Sequence, residues 1–137
     1  MVTELRQFLG EMKTYPGASD DLIARSEAEL GMSLPGDYVE FLRITNGGVG
    51  SIGKCKYVIF WAVDELAPLN RDYQVQEYVP GFLVFGSSGG GEAYGFDTRR
   101  KGWPVVRITF VGLDWDEALP MGESFAAFLK QLYEGEG

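Results

Sequence analysis

The chain has 137 residues, 45% of them hydrophobic, with 12 Lys and Arg against 20 Asp and Glu and no histidine. A chain of this length folds as one domain around one core, expected here to span 1–137, and needs neither disulfide nor metal to do so. Its formal charge of −8 repels phosphate, which disfavours direct contact with nucleic acid or an anionic membrane and favours a basic partner. The lone Cys55 cannot close an intrachain bridge, and acids and a lysine interrupt "MVTELRQFLGEMK", where a secretory segment needs an apolar run. No stretch approaches the ~20 apolar residues that span a bilayer. A cytoplasmic protein is the expectation; monomer and dimer both stay open.

In chain order, Leu5, Phe8, Leu9 and Met12 follow the i, i+3, i+4, i+7 spacing of a helix face, which "TYPGAS" then breaks. Ser19 is placed to cap a second helix with Asp20 and Asp21 in its first turn, and Gly31 to stop it after Leu30. Pro35 suits the first turn of a third helix, in which Tyr38, Phe41, Leu42 and Thr45 share a face before Asn46-Gly47-Gly48 ends it. The period then changes: "YVIFW" (57–61), "FLVF" (82–85) and "PVVRITFV" (104–111) read as strands. Between the first two, a helical turn is expected at 64–66 and loop or frayed helix elsewhere. Phe125, Phe128, Leu129 and Leu132 return to helical spacing, with Glu123 near the start. The pattern predicts helices at both ends and strands between.

Gly86-Ser87-Ser88-Gly89-Gly90 fits the G-x-S-x-G signature of hydrolases. A nucleophile elbow needs a helix after the serine and a base beside it. Here a second strand, "EAYGFD", follows, and the absence of histidine rules out a Ser-His-acid triad; a dyad would have to recruit a lysine such as Lys54 or Lys101. Gly89, Gly90 and Gly91 instead read as a hairpin turn supplying positive φ between strands at 82–86 and 92–97, with Tyr94 and Phe96 on one face. No dinucleotide or Walker phosphate loop is present. The acids of "DWDE" (114–117) could offer oxygens to calcium, but they lack the glycine and distal glutamate of an EF-hand loop and read better as charges ahead of a helix. Tyr57, Phe60 and Trp61 could stack bases, but the acidity favours core packing. No cofactor, metal or catalytic residue is expected. Glu27 alone breaks its pattern, standing between Ile23 and Leu30 on the apolar face of the second helix. A largely buried carboxylate there should accept backbone N–H bonds.

"SEAELGMSLPGDYVEFLRITNGG" (26–48), "VFGSSGGGEAYGFDT" (84–98) and "ESFAAFLKQLY" (123–133) together resemble the SUKH superfamily, whose fungal founders are the Smi-one/Knr-four cell-wall regulators. The resemblance rests on Glu27, Leu30, Gly31, Leu34, Pro35, Asp37, Tyr38, Phe41, Leu42, Asn46, Gly47 and Gly48 in the first segment. Gly86, Gly90, Gly91, Tyr94 and Asp97 carry it in the second, and Ser124, Phe125, Phe128 and Leu129 in the third. Glu92 departs from the aspartate usual in similar sequences, and 54–80 has no alignable motif. The resemblance implies an α+β domain with N-terminal helices, a central, mostly antiparallel sheet of about 4–6 strands and a C-terminal helix packed on it. It also implies binding rather than catalysis. Similar bacterial proteins are typically immunity proteins that neutralise toxins of polymorphic systems, many of them nucleases; the fungal ones are regulatory interaction modules. The expected partner is therefore a cognate toxin or other protein, with a peptide- or small-ligand-binding module as the alternative and a small hydrolase as the remainder. Exposed acids with aromatic anchors are the candidate contacts: Glu92 and Asp97, which flank a strand beside the glycine turn, then Asp37 and Trp61.

Overall fold

The computed structural model describes residues 8–10, 12–52 and 56–134. Among the described residues, seven strands form one antiparallel sheet in simple chain order: β1 (Met12–Thr14), β2 (Gly48–Ile52), β3 (Lys56–Phe60), β4 (Phe82–Ser87), β5 (Glu92–Asp97), β6 (Val105–Thr109) and β7 (Leu119–Gly122). The helices are α1 (Asp20–Leu30), α2 (Gly36–Ile44), α3 (Leu66–Asp72), α4 (Val75–Tyr78) and α5 (Phe125–Glu134), with 3-10 turns at Val63–Glu65 and Trp115–Glu117. The α+β class is as expected, but the sheet exceeds the expected 4–6 strands. The additional strands are short or glycine-rich: "MKT", "GVGSI" and "LPMG" carry no alternation that separates strand from turn. They are made by pairing with neighbours rather than by local preference.

Register carries each side chain's face across the sheet. On the inner face Phe60, Phe85, Tyr94 and Phe96 meet Tyr38 and Phe41 of α2 and Phe125 and Phe128 of α5. Phe125 sits centrally, its ring centroid 4.9 Å from Tyr38, 5.0 Å from Phe41 and 5.4 Å from Phe85. A buried phenylalanine of this kind contributes about 3–5 kcal/mol relative to alanine.

Helix ends follow the sequence closely. The Ser19 hydroxyl accepts from Leu22 N–H, and Gly31, at φ 74°, ends α1 with its own N–H and that of Met32 bonded to the Glu27 carbonyl. Pro35 takes the capping position before α2 rather than its first turn, and Thr45 is extended and outside the helix. Leu5 lies outside the described residues. Phe8–Gly10 form a turn and Met12 opens β1 opposite Gly50, so the helical spacing there does not become a helix at those positions. Phe8, Leu9 and Met12 are nonetheless core residues.

Between β3 and β4 the helical turn expected at 64–66 is present, and the rest, expected as loop or frayed helix, forms the two helices α3 and α4, which serve the sheet. β3 pairs with β4 only at Ile59–Ser87 and Phe60–Gly86, extended by the Trp61 N–H to the Phe85 carbonyl. Beyond that point β4 would present bare backbone. The amide of Asn70 on α3 donates to the Val84 carbonyl and accepts from the Val84 N–H, each at 2.9 Å. Gln76 on α4 donates to the Phe82 carbonyl and accepts from Gly81 N–H in the same way. Two carboxamides thus take the place of a strand.

Candidate functional site

The four candidate contact residues do not form one patch. Glu92 and Asp97 occupy opposite ends of β5. Glu92 is half-buried, and its carboxylate reaches diagonally to Arg107 on β6 at 3.1 Å. Asp97, expected to be exposed, is buried with 4% of its surface accessible. It accepts from Arg99 Nε at 3.0 Å and from the Arg99 backbone N–H, and the guanidinium lies 3.5 Å over the Trp115 ring. A carboxylate buried this far must be paired in this way, because an isolated buried charge is too costly.

Asp37 is also engaged within the fold. One carboxylate oxygen accepts from Tyr38 N–H and the other, 89 residues away in sequence, from Ala126 N–H at 2.9 Å. The negative charge at the start of α2 therefore serves the start of α5, where Ser124 also accepts from Ala127 N–H. Trp61 is largely buried and stacks on Tyr73, with ring centroids 6.1 Å apart and planes 10° apart.

Glu27 is half-buried rather than largely buried, but it accepts a backbone bond as expected: Leu34 N–H lies 2.7 Å from its carboxylate. The Ser88 hydroxyl accepts from the N–H groups of Gly90 and Glu92, and a strand, not a helix, follows it. Gly89 and Gly91 adopt positive φ, at 79° and 97°, whereas Gly90 does not. Asp114 caps its own 3-10 turn by accepting from Asp116 N–H.

A different feature gathers the signature residues. Tyr57, Ile59 and Trp61 alternate with the inward Val58 and Phe60 and so lie on the sheet's outer face, where register adds Val49 and Ser51 from β2. Between this face and the turn at Val63–Glu65 runs a groove of about 500 Å³, bounded by Tyr15, Trp61, Asp64 and Glu65. Asn46-Gly47-Gly48 builds its floor. The Asn46 side-chain Oδ1 accepts from Val63 N–H at 2.7 Å and holds the turn in place. Gly47, at φ 87°, approaches so closely that a Cβ there would stand 2.8 Å from the Phe60 carbonyl oxygen. From the opposite side Gly89 lies under Tyr57, where a Cβ would stand 3.1 Å from the ring. The two glycine motifs, far apart in sequence, converge on β3.

Beyond Trp61 the aromatic surface continues through Tyr73 to Phe110, whose ring centroids are 4.6 Å apart. Tyr15, Tyr57 and Tyr73 are each more than 40% exposed. Sequence reasoning missed Tyr15, Asp64, Glu65 and Tyr73. The available signal was "YVIFW" itself: apolar residues on both faces of a strand imply that the second face is also used.

The SMI1 / KNR4 family (SUKH-1) matches residues 17–131, most of the chain, and the chain belongs to that family. No curated protein matches it.

Proposed function

We propose that this member of the SMI1 / KNR4 family is a non-catalytic protein-binding module and, more specifically, a cytoplasmic immunity protein that neutralises a cognate toxin by binding it directly. The family match across residues 17–131 carries the reading. The net charge of −8 supports it, since acidic proteins meet basic ones quickly and can occlude a phosphate-binding groove, as a nuclease toxin would present. The hydroxyl of Ser88, the one residue in a hydrolase-like signature, is occupied with backbone N–H groups. No helix among the described residues is long and apolar enough to cross a membrane.

The proposed contact surface is the outer face of β2 and β3 with its acidic turn; Glu92, two residues before the inward Tyr94 on β5, stands on the opposite face. Asp97 and Asp37 lie outside it and serve the fold, Asp97 through Arg99 and Asp37 at the start of α5. Expression of a toxin encoded beside this gene should arrest growth, and co-expression of this chain should restore it and yield a stable complex. Unrelieved arrest, with no complex between the purified proteins, would remove the immunity reading.

A regulatory module binding a peptide or small ligand is the second reading. It draws on a separate cleft of about 460 Å³ between α1 and α3, lined among others by Glu29, Arg71, Gln76 and Glu77. A small molecule co-purifying with the chain, and lost on Arg71→Ala, would favour it.

A further inference from the structure

Among the described residues, the groove over β3 differs in charge from two other concavities, one between α1 and α3 and one along α5. Its lining includes Asp64 and Glu65 and neither Lys nor Arg. The cleft between α1 and α3 sets Arg71 beside Glu29 and Glu77, and the one along α5 sets Lys130 beside Glu134. Among the described residues no ion pair involves Asp64. Glu65 gives one oxygen to the Ala62 N–H at 3.0 Å, which fixes its carboxylate at the groove rim.

Carboxylates on the rim of a groove that the exposed Tyr15 ring also lines make a setting suited to a guanidinium, which pairs with the acid through its planar fork and lies flat on the ring. The fold already contains such an arrangement: Arg99 is bonded to Asp97 and stacked on Trp115. Tyr15 also has a cation near its face, with Lys13 Nζ 5.6 Å from the ring centroid.

We propose that the groove receives an arginine side chain of a protein partner, its guanidinium between Tyr15 and the Asp64–Glu65 rim and its methylene stem along Ile59 and Trp61. This rests on, and sharpens, the reading of the chain as a binder of a basic protein. Arginine fits better than lysine because the walls offer flat apolar surface as well as charge.

The test is a ¹⁵N–¹H chemical-shift titration of the full chain with the peptide acetyl-Gly-Arg-Gly-amide and with its uncharged citrulline twin. The arginine peptide should shift the amides of 46–49 and 59–65, and the citrulline peptide should not. Asp64→Asn combined with Glu65→Gln, which keeps an acceptor for Ala62, should weaken the arginine peptide about fivefold without moving the thermal midpoint. Shifts scattered over the acidic surface, or equal shifts from both peptides, would overturn the proposal. So would unchanged affinity in the double variant. If the groove fails this test while the chain still neutralises a toxin, the arginine site falls and the immunity reading stands. If the groove binds arginine and no toxin is neutralised, the site stands and the immunity reading falls.

Discussion

At the scale of single residues, acidic side chains do different work according to what they face. Glu27, half-buried, ties the end of α1 to Leu34 through one short bond to a backbone N–H. Glu27→Ala should cost about 1–2 kcal/mol in chemical denaturation and Glu27→Gln less, because the amide oxygen can still accept. Tyr38 is the opposite case, a fully buried hydroxyl without a hydrogen-bond partner among the described residues. Burial pushes its phenol far above the ordinary 10.0. Tyr94 is raised as well, first by burial and then by the Glu92 charge. The folded chain therefore keeps protons that the unfolded chain releases above about pH 10, and stability is lost as pH rises beyond that value. Tyr38→Phe should leave stability at neutral pH unchanged or raise it by up to ~1 kcal/mol. It should also blunt the alkaline loss, as denaturation at neutral pH and near pH 10.5 would reveal. An equally steep alkaline loss in Tyr38→Phe would mean that other groups govern it.

At the scale of elements, side chains replace backbone pairing where the sheet parts. Asn70→Ala would strand both the N–H and the carbonyl of Val84 beside a buried strand, and should cost about 2–4 kcal/mol. Asn70→Asp should fare no better, since it deletes the donor to Val84 and buries a charge. Asp37→Ala should cost about 1–2 kcal/mol by uncapping α5. Its effect should not add simply to that of Ser124→Ala, because both side chains serve the same first turn. Additive losses in denaturation would show that the two caps act independently. These roles mark the boundary of what the sequence made legible. The ends of α1 were readable because Ser19 and Gly31 act on backbone within a few residues. The hairpin at 88–91 was readable for the same reason. Asn70 was not, since its partner lies 14 residues away on an edge created only when β3 and β4 diverge. Asp37 looked like an ordinary first-turn acid because nothing local points to Ala126. Glu92 and Asp97 looked alike as acids ending one strand, yet only the assembled sheet determines that Asp97 is enclosed.

At the scale of the whole molecule, the burial of Asp97 changes which surface should meet a partner. Charge reversal at Asp97 should lower the thermal midpoint by breaking the Asp97–Arg99–Trp115 stack, and so would not report on an interface alone. Reversal at Asp64 leaves that stack intact and should slow association with a basic partner, with the difference from wild type shrinking as salt is raised. Equal association rates for both proteins at low salt would place the contact elsewhere. The most direct measurement of the central claim is a calorimetric titration of this chain into the purified product of an adjacent toxin gene, followed by assay of that toxin's activity. The account predicts a one-to-one complex in the nanomolar range typical of specific protein pairs and toxin activity falling in step with its formation. No heat of binding, with the toxin fully active in excess chain, would contradict it.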